Sequence, residues 1–468
     1  MKKKIVAAAA ALLLILTYFT CAFAPYSAQY PAENEAFEAS DFFGDSESTE
    51  RVKVVFTAED ALDERLRLIE SAESSIILTT FEYKPDTSGK LIMAALYAAA
   101  ERGVEVKILI DGFAYFTDLG GSDCFKMLSK NDNISIRVYN PVRLTRPGKM
   151  MARMHDKYII VDDESYILGG RNTHDQFLGS YREGQKCDWD IVVTNSDVTE
   201  SSSVRQLEAY FESVWELDDT RSGERMLVGP TERRAERAVN ELHRLYAEDK
   251  EQDPERYDTS LIGEGTLPTR KITLLFNPIN TGVKRPTLFY EMTQLMLQMD
   301  GDIYFHTPYI LCSDDMLARL SNLCSEDRSV TVMTNSPANN ANLPGTADYL
   351  ASRTDVLKTG VRLLEYDGGS SYHGKCFTVG GRISGVGSFN WDMRSAYIDT
   401  EIMAVIDSSE VNACLRGYMQ TYERESIEVD ESGNYVRVGD LPLPEMSTGK
   451  RIVTAILGPI VRPLRFLL

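Results

Sequence analysis

The chain has 468 residues, 43% hydrophobic and 26% charged, so it can bury two or three cores without staples, and its composition is not that of a disordered chain. A formal net charge of −20 excludes a general polyanion binder and leaves no nucleic-acid partner expected, so any anionic substrate must be met by local positive charge. Seven scattered cysteines form no CxxC pair, which excludes a cysteine zinc site and a disulfide scaffold.

Residues 1–30 open with Lys2, Lys3 and Lys4, followed by an uncharged run from Ile5 to Ala24. As a helix, about 20 residues reach roughly 30 Å, the thickness of a bilayer core. Two readings stay open. One is an uncleaved transmembrane anchor that leaves the bulk of the chain on the extracytoplasmic side of the cell membrane. The other is a signal peptide whose cleavage releases the protein, although Pro25 after Ala24 spoils the best cleavage site. Residues 31–50, with Glu33, Glu35, Glu38, Asp41, Asp45, Glu47 and Glu50, read as an acidic, solvated linker.

A first lobe spans 51–218. It begins with a strand over Arg51 to Phe56 and a helix over Ala58 to Ser71, then a β-rich run SIILTTFEY from Ser75 and a helix from about Ser88 to Arg102. Strands ending at Asp111 and near Pro141 follow, and a helix from about Ser201 to Glu216 closes the lobe. Such alternation predicts βαβ units and a parallel or mixed sheet. Residues 219–271 form a charged inter-lobe segment with a short amphipathic helix from about Thr231 to Ala247, beside whose apolar stripe His243 reads as a surface or packing residue. The second lobe, 272–430, repeats the order with a strand over 302–310, a helix from Asp314 to Leu323, and strands over 329–335 and 361–367. An internal duplication explains this. A basic and apolar tail occupies 431–468.

Two motifs carry the chemistry. The first, RMHDKYIIVDDESYILGGRN (153–172), sets His155, Lys157, Asp162, Gly169, Gly170 and Asn172 at fixed spacing. The second, YHGKCFTVGGRISGVGSFN (372–390), repeats it with His373, Lys375, Gly387, Ser388 and Asn390, but has Gly380 where Asp162 stands in the first. Phosphodiester exchange needs such groups. One imidazole attacks phosphorus, the other moves the alcohol proton, and ammonium and amide donors hold the non-bridging oxygens. Histidine suits both proton roles because its ordinary pKa lies near neutrality.

The paired HxK motifs resemble the phospholipase D superfamily. GGRN, GSFNWDMRS and DTE resemble bacterial cardiolipin synthases, particularly the shorter C type, over about residues 50–430. The resemblance implies an α/β, duplicated phospholipase D-like fold, with two βα lobes of mixed sheets sharing one active site at a pseudo-twofold interface. It implies His155 as nucleophile, His373 as acid and base, and Lys157 and Lys375 with Asn172, Ser388 and Asn390 on the phosphate. Asp162 completes the first motif and is implied among its catalytic residues, with a bracing part for the lobe. Asp190 and Glu401 are implied as the carboxylates that orient the histidines, the alternative being strand-end acids at the surface. No cofactor and no metal is called for. The implied function is a phosphatidyltransferase making cardiolipin from phosphatidylglycerol, an anionic phospholipid, at a membrane. A hydrolytic phospholipase D is the first alternative, ahead of a nuclease and an inactive membrane scaffold.

Four further features are left for the structure. His306 reads either as lining the site mouth or as a packed strand residue, and Asp175, next to His174, as a loop brace. The basic stretches 143–153 and 449–468 suit a bilayer surface, with packing on the domain as the alternative for the tail.

Overall fold

The computed structural model describes residues 9–18, 37–223, 231–437 and 441–468. In the first lobe β1 (Glu50–Val55) leads into α1 (Ala58–Ser71), β2 (Ser75–Thr80), α2 (Thr87–Glu101), β3 (Glu105–Asp111) and β4 (Ile134–Tyr139). The hairpin β5 (Tyr158–Val161) and β6 (Ser165–Gly169) follows, then β7 (Asp190–Asn195), α3 (Ser203–Trp215), β8 (Thr220–Ser222), α4 (Glu232–Gln252) and β9 (Leu267–Pro268). The second lobe runs β10 (Lys271–Phe276), α5 (Thr287–Gln298), β11 (Ile303–His306), β12 (Ile310–Leu311), α6 (Asp314–Leu323), β13 (Val330–Asn335), α7 (Leu343–Leu357) and β14 (Arg362–Tyr366). It continues with the hairpin β15 (Cys376–Val379) and β16 (Ile383–Gly387), then β17 (Trp391–Asp392), β18 (Ile402–Asp407), α8 (Ser409–Glu423), β19 (Ser426–Val429), β20 (Tyr435–Val436) and the tail helix α9 (Thr448–Val461).

Each lobe holds one nine-stranded sheet, and seven strands correspond. The order β4-β3-β2-β5-β6-β7-β1 in the first is matched by β14-β13-β11-β15-β16-β18-β10 in the second. In both, the first three strands are parallel and the other neighbours antiparallel. The sheets are therefore mixed and the fold is duplicated. The parallel strands read as continuous apolar runs because both their faces are covered: helices pack on one side and the opposite lobe lies on the other.

The inter-lobe face is a shared core. Val54, Ile160, Leu168 and Ile191 join Leu274, Val386, Ala404 and Ile406, with Phe211 of α3 and Met419 of α8 in the same cluster. Burying each large aliphatic side chain there stabilises the paired lobes by about 1.5–3 kcal/mol. This packing sets one lobe in register with the other.

Two boundaries differ from the expectations. The described part of the 31–50 linker is not a free tether. Phe42 is buried with Phe37 and Phe43 beside it on the second-lobe core, and Gly44 N–H donates to Asp407 at 2.9 Å. Its three phenylalanines outweigh its acids. The inter-lobe segment belongs to the first lobe, because α4 buries Ala238 and Leu242 in that lobe's core and β8 and β9 extend its sheet. His243 sits on the exposed side of α4, 2.9 Å from Glu101. The run 5–24 lies partly outside the described residues. Residues 9–18 are helical, and among the described residues no helix is long and apolar enough to cross a membrane.

Asp162 is a brace, not part of the site. β5 separates it from Lys157 by five residues, roughly 16 Å of extended chain. Its carboxylate accepts from the backbone N–H groups of Glu73, Ser74 and Ser75 at 2.7–2.8 Å, bonds that outweigh burial and lower its pKa. The second lobe cannot repeat this. Gly380 also has positive φ, and a Cβ there would lie 2.3 Å from the carbonyl oxygen of Asp300.

Candidate active site

The two lobes reach across to each other at the HxK motifs. Just before β5, Met154 bridges to Thr400, and His155 N–H donates to Thr400 O at 3.2 Å. Just before β15, Tyr372 bridges to Cys187, and His373 N–H donates to Cys187 O at 2.7 Å. Each bridge places the next acid under the opposite histidine. Glu401 lies 3.0 and 3.1 Å from Nδ1 of His155, and Asp188 lies 2.6 Å from Nδ1 of His373. Both carboxylates are fully buried. Nδ1–H on each imidazole then leaves Nε2 to do chemistry.

Glu401 stands where the sequence put it, but Asp190 does not. Asp190 holds the guanidinium of Arg65 at 2.8 Å and of Arg171 at 3.3 Å in a buried ion cluster. The reason is register. Gly169 pairs with Asp190, whereas its twin Gly387 pairs with Met403, so the twin of Glu401 is Asp188. Counting from the start of the apolar runs at Ile191 and Ile402 misses this two-residue offset. The same register explains Gly170: a Cβ there would lie 2.2 Å from Oδ1 of Asp188, so no serine fits.

Ser388 is a support for Glu401 and not a phosphate donor in this arrangement. Its hydroxyl donates to Glu401 at 2.5 Å, as that of Ser395 does at 2.6 Å. Asn172 meets Glu82, its Nδ2 lying 3.4 Å from Oε2 and its Oδ1 accepting from the Glu82 N–H at 3.3 Å. Asn390 has a buried side-chain oxygen without a partner among the described residues.

Lys157 and Lys375 are buried, and each ammonium donates to the carbonyl of its own histidine. Burial pushes the Lys157 pKa down to about 8 and that of Lys375 down to about 7, against the opposing pull of Glu401 and Asp188. Burial, reinforced by the lysines, also holds both imidazoles well below the ordinary histidine range. Burial raises Glu401 to about 8. Every shift disfavours charge, and an arriving phosphodiester anion acts in the opposite sense on the lysines and histidines.

Residues outside the motifs complete the surroundings. Phe81 packs edge-on to His155 at 5.1 Å, and Phe177 to His373 at 4.9 Å. His174 meets Glu82 at 3.0 Å. Glu82 was legible only through the duplication, as the twin of Tyr309, because Tyr83 and Ile310 make equivalent bridges to Thr173 and Trp391. Asp175 is the expected brace, accepting from Ser88 N–H at 2.7 Å. His306 is a packed strand residue, held by Tyr372 and Glu423 at 3.0 Å each. In the 143–153 stretch, Arg146 and Lys149 engage Asp219 and Arg153 engages Asp111, so those three charges are already paired.

The chain matches the family described as "Cardiolipin synthase, PLD-like domain" over residues 66–215 and 292–422, one segment in each lobe. It is 28% identical over 384 residues to cardiolipin synthase C of Escherichia coli, covering 75% of this chain and 80% of that protein. It is 24% identical over 387 residues to cardiolipin synthase A of Edwardsiella ictaluri, covering 81% and 70%. The fold superposes on the crystal structure of phosphatidylserine synthase from Haemophilus influenzae Rd KW20 with a TM-score of 0.63 and 15% identity, over 89% of this chain and 95% of that one.

The two first-lobe aspartates have separable roles. Asp188→Asn should lower kcat on a phosphodiester by roughly 10²–10⁴-fold and cost less stability than Asp190→Asn, because its partners, His373 and a Lys375 ammonium 3.6 Å away whose pKa is lowered to about 7, can shed their charge as arginines cannot. Asp190→Asn should instead destabilise the fold by about 3–5 kcal/mol, since it leaves buried guanidinium charge uncompensated. Kinetics and thermal unfolding of both variants check this, and equal loss of stability in the two would contradict the assignment. The lysines predict a pH signature. Their lowered pKa values mean that the free enzyme loses its cationic clamp as pH rises through about 7 to 8. Accordingly kcat/KM should fall over that range, while kcat, measured with the substrate's charge in place, holds to higher pH.

Proposed function

This chain belongs to the phospholipase D-like cardiolipin synthase family, and from that premise we propose that it is a phosphatidyltransferase joining two phosphatidylglycerol molecules into cardiolipin and free glycerol. The observation that carries the reading is the pair of crossed histidine–carboxylate bonds, one histidine from each lobe, with two buried lysines beside them. In the first step Nε2 of His155 bonds to phosphorus as the phosphorus–oxygen bond to glycerol breaks. Protonated His373 gives its Nε2 proton to the departing alkoxide. In the second step the terminal hydroxyl of another phosphatidylglycerol passes its proton to His373 and attacks phosphorus, and the phosphorus–nitrogen bond breaks to free His155.

Lys157, Lys375 and the amides of Asn172 and Asn390 supply donors for the non-bridging oxygens. Losing one such donor costs about 3 kcal/mol, roughly a hundredfold in rate. Purified protein in micelles of labelled phosphatidylglycerol should yield cardiolipin and glycerol. Phosphatidic acid as the main product would make the protein a hydrolase. His155→Ala and His373→Ala should each abolish turnover, and full activity in either would sink the shared site.

The same reading places the protein at a membrane surface, and the tail supports this. The inner side of α9 packs on α7 with Thr454 and Val461 buried, while Ile452, Ile456, Ile460 and Leu464, four residues apart, are exposed. From Met446 to Leu468 there are four basic residues and no acidic ones in a chain of net charge −20. Such a stripe suits the headgroup and acyl boundary of an anionic bilayer. Ile456→Asp with Ile460→Asp should reduce co-sedimentation with phosphatidylglycerol vesicles without lowering the melting temperature. Undiminished binding would remove the tail from the membrane contact.

A further inference from the structure

Glu82 and Lys186 stand beside the site without a part in the motif chemistry. The ring of Phe177 touches His373 at 4.9 Å and His174 at 5.0 Å, and the Lys186 ammonium lies 5.2 Å from the centre of that same ring. Among the described residues this ammonium has no ion pair within 4 Å. Its charge still reaches His373, where it adds to burial and Lys375 in lowering the imidazole pKa. Glu82 has the complementary character. Its Oε2 lies 3.0 Å from Nε2 of His174 and 3.4 Å from Nδ2 of Asn172, yet its side chain is 37% exposed where Asp188 and Glu401 are at 0%. Burial alone would raise its pKa, but His174, Lys84 and Lys186 bring it to about 2, which favours the carboxylate form.

The duplication shows that this pair is specific to one side. By register the twin of Glu82 is Tyr309, and the twin of Lys186 is Asp399, already engaged by Arg394 at 3.1 Å and by the Arg153 N–H at 3.0 Å. Among the described residues the available cation, Lys186, lies on the His373 side, and the solvent-facing carboxylate, Glu82, stands close enough to act on both Lys186 and Lys157. A carboxylate is a poor host for a phosphate but a good acceptor for hydroxyl groups, and an unpaired ammonium is a host for a phosphate.

An acceptor phosphatidylglycerol has both features. Its glycerol offers a terminal hydroxyl to react and a middle hydroxyl beside it, and its phosphodiester hangs from the third carbon. We propose that Glu82 and Lys186 form the acceptor subsite, Glu82 taking a hydrogen bond from the middle hydroxyl and Lys186 pairing with the acceptor's own phosphate, so that the terminal hydroxyl lies at His373. The proposal rests on the cardiolipin-forming reading above, and it makes these two residues the determinants that favour a phosphatidylglycerol acceptor over water.

Partition of the shared phosphoenzyme tests it, because cardiolipin and phosphatidic acid both arise after that intermediate has formed. With the full chain and labelled phosphatidylglycerol micelles, Lys186→Ala and Glu82→Gln should each lower the cardiolipin to phosphatidic acid ratio by roughly tenfold, the loss of one charge-assisted contact, and Lys186→Arg should restore most of it. Exchange of labelled glycerol into phosphatidylglycerol supplies an acceptor without a phosphate. Relative to hydrolysis, that exchange should stay within about twofold of wild type in Lys186→Ala and fall in Glu82→Gln. A ratio unchanged in Lys186→Ala, or glycerol exchange lost in it as fully as cardiolipin formation, overturns the subsite. Wild-type protein that yields phosphatidic acid alone overturns the cardiolipin reading itself.

Discussion

Two hydrogen bonds that cross between the lobes, His155 to Glu401 and His373 to Asp188, set the condition that the rest of the structure meets. Each joins an imidazole from one half of the duplication to a carboxylate from the other, so neither half holds an oriented histidine alone. Burying such groups is costly unless their partners are fixed. The shared core between the sheets supplies that fixity, and the Met154–Thr400 and Tyr372–Cys187 bridges transmit it to within one residue of each pair. A site built this way cannot form before the lobes dock, which ties chemistry to folding more tightly than a site on one sheet would.

How far the sequence reached depends on the range of the interaction. The strands β1 to β4, β11, β13 and β14, the helices α1 to α4 and α6, and the duplication were legible because they rest on local periodicity and on order along the chain, while α5, α7 and α8 of the second lobe were not read. The histidines and lysines were legible because the spacing recurs. What failed was anything set by register across strands. Asp190 and Asp188 differ by two residues in the same polar stretch, and only the pairing of Gly169 with Asp190 separates the scaffold ion cluster from the histidine partner. Asp162 illustrates the same limit, since its spacing in the motif says nothing of a strand that carries it away from the chemistry. The acidic linker failed for another reason: Phe37, Phe42 and Phe43 dock because their apolar area outweighs the charges around them.

The electrostatics answer the question raised by a net charge of −20. The protein does not meet an anionic substrate with a basic surface. It buries two lysines and two histidines whose charges are each disfavoured by that burial, and an arriving phosphodiester anion favours the charged form of the lysines and of one histidine while the other stays neutral to attack. Such a site selects for a ligand that carries charge to it. A neutral nucleophile such as water gains nothing from that arrangement, and discrimination among acceptors has to come from groups outside the motifs.

The divergence between the lobes shows where those groups lie. Duplication gives every position a twin, and near the histidines most twins keep their type: His155 and His373, Lys157 and Lys375, Asn172 and Asn390, Asp188 and Glu401. The departures are concentrated. Glu82 faces Tyr309, His174 faces Asp392, and Lys186 faces Asp399. In the proposed mechanism the centre needs symmetry only for the phosphate it cleaves, since both histidines address one phosphorus atom. In the proposed reaction the attacking histidine takes one side of that atom, and the departing glycerol and then the incoming alcohol take the other. Beyond the Gly170–Ser388 departure, which serves Glu401, an asymmetry in charged residues around the histidines is what a symmetric centre requires if its two sides are to hold different molecules.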